Sequence, residues 1–496
     1  MKRNPVLRVR AYQSVKRPTR IAAAAAAGII LALLSASVAS AKQGANVPCA
    51  GQAALVAAIN NANSSGGGTI NLAKGCHYEL TSADNGENGL PVVTSAITVN
   101  GNQATIDGTD SVRVFEVDGP GGNLSLDDLA ITRGSADFGG GIANVGGTVS
   151  LDHSQVTGNA ASFAGGGIAN ATFDPSSVAN LTLDHSTVSH NQQTAGPEDN
   201  NTLGGGGILN NLGTVTIHHS EVNGNNAQGF VGGGIANGDY FNFTDSGSVL
   251  MLDHTQVNGN TAPNAGGGGV QNLLGSVTAD HSQVNGNTSL NGGGISSGNA
   301  NGGSVGPAVL KLNHSEVNGN TATAPVPPPP PNGGPPVAAG GIANGSDAVL
   351  DHTQVDNNTA TTTSAAGIVN HGSMTLSHSE VNGNTAAGSG PAASGGGILN
   401  AASPGAPDTG VLTLDHSKVN DNSAGGNGGG ISNGLQGTGL VGGAVTLTNS
   451  QVTHNSATHG GGIFNKGGTV TLSNSAVTGN NPDNCYPPNT VPGCTG

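Results

Sequence analysis

The sequence predicts an all-β chain wound as a three-sided parallel β-helix with an N-terminal capping helix. Three observations lead there. Two short motifs alternate eleven times along the chain. The joints between them vary in length while the motifs do not. Inside each motif, apolar and polar residues alternate in runs too short and too glycine-rich for a helix.

The first motif reads GGGIAN. It begins at Gly139 and Gly165 and recurs in variants around Ile208, Ile235, Val270, Ile295, Ile342, Ile368, Ile398, Ile431 and Ile463. The second reads LDHSQVTGN, from Leu151 to Asn159, and its valine returns at Val188, Val222, Val257, Val284, Val317, Val355, Val381, Val419, Val452 and Val477. Successive valines lie between 25 (Val452 to Val477) and 38 residues apart (Val317 to Val355). A fixed element with elastic joints is one turn of a solenoid whose loops project outward. The proline run Pro327–Pro331 lies in one such joint and reads as a stiff, tolerated insertion.

Within a motif the parity of the apolar positions locates the corners. Val149 and Leu151 share one face, and counting on places His153 on that face too. Val156 breaks the count, so the chain bends between His153 and Val156; a second break places a corner between Val156 and Asn159. Short strands between corners, stacked at roughly 4.8 Å per turn, give the solenoid. Composition agrees. Glycine is 85 of 496 residues, tryptophan is absent and charged residues are 9%, so the core must come from Val, Ile, Leu and Ala.

Ahead of the repeats, AGQAALVAAINNAN (Ala50 to Asn63) is the one good helix, with Leu55, Ala58, Ile59 and Ala62 on one face. It is expected to cover the open end of the rod, where strand edges would otherwise invite aggregation. Before it, seven of the 14 basic residues lie within the first 20, followed by an Ala-rich apolar run and a small-residue site at Ala39 to Ala41. That is the three-part pattern of a secretory signal, cleaved before Lys42. Four cysteines in an exported chain imply disulfides, and proximity pairs Cys49 with Cys76 and Cys485 with Cys494. The organisation is therefore a signal over 1–41, cap helix and irregular turns over 42–135, eleven repeats over 136–480 and a disulfide cap over 481–496. Beyond residue 20, seven basic residues face all 29 acids, which excludes nucleic acid and anionic membrane as partners. No later stretch is apolar enough to span a bilayer.

The alternation of GGGI with VxxN resembles the short repeats of chlamydial polymorphic outer-membrane proteins, in which Gly-Gly-Ala-Ile alternates with Phe-x-x-Asn. Here Ile142 and Ile168 stand in the first element, and Val156 to Asn159 and Val257 to Asn260 in the second, with Val in place of Phe. The chain also resembles secreted right-handed parallel β-helix repeat proteins of the pectin-lyase-like class, over about residues 49–496. The resemblance implies a right-handed solenoid. It leaves function open, because that class holds lyases, hydrolases and adhesins. No run of ten-residue amphipathic strands follows the last repeat, so barrel anchoring is not expected.

The candidate chemical groups are the repeated histidines: His153, His185, His219, His254, His281, His314, His352, His378 and His416, with Asn449 and Asn474 in the last two turns. A position that takes both His and Asn reads as a structural corner ladder of compact donor–acceptor groups. Two asparagine columns accompany it, one from Asn159 to Asn480 and one from Asn144 to Asn465, interrupted by Ser297. Parity sends the neighbouring Asp152, Asp184, Asp253, Asp280, Asp351 and Asp415 to the other face, so the rings lack a converging carboxylate and no metal site is expected. The Asp column reads as a solvated face, with weak calcium binding the one cofactor kept open. No catalytic residue and no other cofactor site is assigned. A lyase or hydrolase would need paired carboxylates beside a base. Asp127 and Asp128 near Arg133 are the one such cluster, and they read better as a variant repeat. The other mature basic residues, Lys42, Lys74, Arg113, Lys311, Lys418 and Lys466, are scattered singly, and His371 and His459 read as loop residues. The expectation is a secreted or surface-associated, non-enzymatic protein. Its work would be adhesion to, or display towards, a host or environmental polysaccharide or a surface protein; a polysaccharide lyase or glycoside hydrolase is the alternative.

Overall fold

The computed structural model describes residues 44–173, 177–195, 204–229, 231–240, 247–298, 308–323, 338–361, 365–390, 392–402, 410–436 and 439–495. The signal-like segment over 1–41 and the run Pro327–Pro331 lie outside the described residues. Within them the chain is a parallel β-helix with a single α-helix. One turn comprises the strands Ile142–Val145, Thr148–Asp152, Gln155–Thr157 and Ala160–Ala164. Each pairs in parallel with its counterpart one turn on: Ile142 with Ile168, Leu151 with Leu183, Val156 with Val188 and Ala160 with Gln192. The four strand columns lie in three sheets, in keeping with the three sides expected, because the corner at the histidine divides one sheet into two columns.

The geometry of that corner corrects the parity count. His153 has φ +46°, in the left-handed region, and all nine column histidines lie between +44° and +48°. A left-handed residue turns the chain without following the strand alternation. Leu151 therefore faces in, Asp152 and His153 both face out, and Ser154 faces in with 1% exposure. The inward placement expected of the histidines does not hold. The exchange for asparagine follows from the same cause, since Asn, Asp and His tolerate positive φ better than other non-glycine residues. Asn449 and Asn474 have φ +49° and +50°, and Asp128 takes the same place at +50°. The second corner repeats the device with Gly158 at φ +65°, and His190, Asn357, Asp421 and His454 stand at the matching position in other turns.

The interior is a stack of aliphatic layers. Ile142, Val149, Leu151 and Val156 are fully buried, as are their counterparts Ile208, Val215, Ile217 and Val222. Each such side chain contributes about 1.5–3 kcal/mol of transfer free energy. The glycine triplet lets the coils close around this core. In the triplet Gly165–Gly167, Gly165 has φ +65°, and a Cβ on Gly166 would lie 2.3 Å from the carbonyl oxygen of Gly206 in the next turn. At the N-terminal end, α1 (Gly51–Ser64) buries Leu55, Ala58, Ile59 and Ala62 in the same core as Ile70 and Ile97. Gln52 donates to the carbonyls of Ser82 and Gly89 at 2.6 and 2.7 Å, fixing the helix across the first turns. Cys49–Cys76 and Cys485–Cys494 are disulfides. At the far end Cys485 and Val491 join the core.

Asparagine ladders tie the turns together. The Nδ2 of Asn159 donates to Asn191 Oδ1 at 2.9 Å, and the chain of amides continues through Asn225, Asn260, Asn287, Asn320, Asn358, Asn384, Asn422 and Asn455 to Asn480. The second ladder runs from Asn144 through Asn170, Asn210 and Asn237 to Asn272, which donates to Ser297 Oγ at 3.1 Å. It resumes from Asn344 through Asn370, Asn400 and Asn433 to Asn465. A further column passes from Asn223 through Asn258, Asn285 and Asn318 to Asp356, whose Oδ1 accepts from Asn382 N–H at 2.9 Å.

Two outcomes are expected from these columns. Asn287 accepts from the backbone N–H and the amide of Asn260 and donates to Val257 O and Asn320 Oδ1. Asn287→Ala leaves those buried groups unpaired and should lower unfolding free energy by about 2–5 kcal/mol in urea denaturation. At Asp356, burial is the main cause that pushes the carboxyl up to about 6, with Glu380 and Glu316 adding and the Asn382 N–H opposing. The folded value lies above the unfolded one of about 3.9, so the native state holds the extra proton and stability falls as pH rises from about 4 to about 6. Asp356→Asn should therefore raise stability at pH 7 by about 1 kcal/mol, discounted for partial solvent screening. The gain should vanish near pH 4, and thermal midpoints at the two pH values measure the difference.

Candidate functional site: an exposed histidine–aspartate column

The left-handed corners set nine imidazoles in one row on the surface. All nine are exposed, with side-chain exposures such as 62% at His153 and 47% at His352. Successive ring centroids lie 4.8–5.2 Å apart, with planes within 18° of parallel. The spacing is that of the sheet beneath. Where asparagine replaces histidine, Asn474 donates to Asn449 Oδ1 at 2.6 Å, so the last step of the row is an amide pair.

The aspartates do not face away from the rings, as strand parity suggested. The left-handed histidine brings its ring back over the preceding side chain. His153 Nδ1 lies 2.7 Å from Asp152, His185 3.0 Å from Asp184, His254 2.7 Å from Asp253 and His281 3.2 Å from Asp280. His352 lies 3.1 Å from Asp351 and His416 2.9 Å from Asp415. His314 uses Asn313 Oδ1 at 3.1 Å, and His378 uses Ser377 Oγ at 3.0 Å. The hydrogen bond from His254 is the chief cause that holds the Asp253 carboxyl below its ordinary range, with burial opposing and His218 helping. At Asp351 burial is the largest influence and acts upward, but the contacts with His352, Ser377 and His378 together outweigh it.

Beneath the row runs a ladder that the sequence reading missed. A serine or threonine follows every column position, as in Ser154, Ser186, Thr255, Ser282 and Ser417. Ser186 Oγ accepts from Ser154 N–H at 3.0 Å and donates to the Asp184 carbonyl at 2.8 Å. These buried hydroxyls fix the corner backbone and hence the origin of each ring. The signal was visible in the invariant hydroxyl residue, but parity counting had assigned the inward place to histidine.

The rival catalytic cluster disperses. Asp127 pairs with Asp152 in register and heads the Asp column, and Asp128 heads the histidine column. Arg133 turns instead to Asp107, its Nε 3.0 Å from both carboxylate oxygens, while His77 Nε2 lies 3.1 Å from Asp107 Oδ2. Burial alone would push Asp107 up; Arg133 and the Thr109 N–H hold it below the usual carboxylate range. Arg113 is buried and bonded to Asn88, Glu116 and Glu87. Lys418 pairs with Glu380 at 2.9 Å. His371 lies in the turn between the strands Ile368–Asn370 and Ser373–Ser377, as expected of a loop residue, but it is buried. It is 5% exposed, within 3.0 Å of the Ala401 carbonyl, and burial holds its pKa down. His459 packs edge-on against Tyr486.

The fold places the chain among parallel β-helix proteins. No protein-family model matches the sequence, and no curated protein matches it. Among solved structures it is similar to the A-modules of two mannuronan C-5 epimerases of Azotobacter vinelandii. AlgE6 matches at 12% identity and TM-score 0.40, over 88% of this chain and 95% of the other. AlgE4 matches at 11% identity and TM-score 0.36, over 86% of this chain and 94% of the other. It is also similar to PfbA, a surface adhesin of Streptococcus pneumoniae, at 12% identity and TM-score 0.29, over 86% and 88% of the two chains.

The corner geometry makes a direct prediction. His254→Asn should leave stability within about 0.5 kcal/mol of the parent, whereas His254→Val should cost about 1–2 kcal/mol, because a β-branched residue is strained at positive φ. Denaturant midpoints of the two variants check this.

Proposed function

We propose that this is an exported, non-enzymatic β-helix protein that works outside the cell or on its surface, in adhesion or display. The observation that carries the reading is the outward face of the Thr148–Asp152 strand column. Ser150, Thr182, Thr216, Thr278, Thr375, Thr413, Thr446 and Thr471 share one register position with Met251, Lys311 and Val349, and the Asp column lies beside them. A rigid row in which hydroxyl side chains predominate, set at one-turn spacing, suits a repetitive ligand, since many weak contacts on one surface add as avidity. A polysaccharide or a repetitive surface protein has that form. Export is supported by the signal-like N-terminus and the two disulfides, which persist in oxidising compartments.

The enzymatic alternative finds less support, because Arg133, the basic residue nearest Asp127 and Asp128 in sequence, is committed to Asp107. Incubating the purified protein with immobilised polysaccharides distinguishes the two. Capture with no release of unsaturated or reducing ends is the expected result. Release of such products would overturn the non-enzymatic reading.

A further inference from the structure

We propose that the histidine–aspartate column binds two divalent transition-metal ions per chain, apart from whatever ligand the strand face takes. In three places among the described residues, one carboxylate oxygen and one nitrogen from each of two successive imidazoles lie within 4.8 Å of one another. These triads are Asp152–His153–His185, Asp184–His185–His219 and Asp351–His352–His378. The objection that all rings belong to one column, with the aspartate on the far face, is removed by the left-handed corner, which puts carboxylate and rings on the same side.

The distances suit an ion of zinc size. In the second triad, Asp184 Oδ1 lies 3.0 Å from His185 Nδ1 and 4.0 Å from His219 Nδ1. Donors about 2.0–2.2 Å from a tetrahedral ion stand roughly 3.4 Å apart. Small rotations of half-exposed side chains close the difference, while the serine and asparagine ladders hold the backbone still. Two imidazole nitrogens and one carboxylate oxygen form a donor set for zinc, copper or nickel, with water completing the shell. Calcium prefers six to eight oxygens, which these triads do not offer.

The same geometry sets the number of ions. The first two triads share His185, so they exclude one another and hold one ion between them; the third holds the second. Elsewhere in the row the pattern is interrupted. Asn313 replaces the aspartate beside His314 and donates its Nδ2 to Asp280 Oδ1, and Asp253 is also engaged by His218 at 3.3 Å. His416 is followed in the row by Asn449.

Titration calorimetry of the full chain with zinc chloride tests the proposal. Two ions per chain are expected. His185→Asn should abolish one, and the double variant His185→Asn, His352→Asn should abolish both. His416→Asn should retain both. Asparagine already occupies this corner at Asn449 and Asn474, so the variants should fold, and their thermal midpoints verify it. Cobalt provides a second readout, as visible absorption bands of a nitrogen-ligated ion that disappear in the double variant. Absence of saturable zinc uptake would overturn the proposal. So would uptake unchanged in the folded double variant, or binding of calcium in preference to zinc.

Discussion

Each turn of this protein is tied to the next through the side-chain amide of one buried asparagine. Asn225 shows the arrangement: its Oδ1 accepts from both the backbone N–H and the amide of Asn191, and its Nδ2 donates to Val188 O and onward to Asn260. Four bonds at one buried residue give the corner backbone partners that bending would otherwise deny it. Register is thereby fixed at the corner rather than by the joint that follows. This is why joints can differ by more than ten residues without disturbing the stack.

The second constraint is the left-handed residue that opens each corner. It lets a hydroxyl residue face inward directly after an outward pair, and the Ser and Thr ladder follows. It also answers why histidine prevails where asparagine would serve. Both tolerate the backbone, but an imidazole also brings a ring nitrogen up to the neighbouring carboxylate, as at His153, His185 and His254. The last two turns give up that property and keep the corner. Masonry and chemistry are therefore not competing readings of the motif: the backbone requirement selects a small set of residues, and histidine adds donors within it.

Much of this was legible in the sequence because a solenoid repeats its contacts at a regular period. The asparagine columns, the buried face of the cap helix and the two cysteine pairs could be read from position alone. What failed was the count across a corner. Alternation assumes continuous β conformation, and a single left-handed residue shifts every later position by one. His153 was placed inside for that reason, and Asp152 was separated from a ring it touches. Arg133 failed differently. Its neighbours in sequence are Asp127 and Asp128, but its partner Asp107 lies one turn back, a contact that local spacing does not display.

Buried amides hold the turns together, and hydrogen exchange at single residues reads that hold. The backbone N–H groups of Asn191, Asn225, Asn260, Asn287 and Asn320 donate to the side-chain oxygen of the next asparagine in the ladder. These amides should exchange as slowly as those of the core strands, such as Leu183 and Ile217, because they open only when turns separate. Exchange at the rate of unprotected corner amides would contradict it.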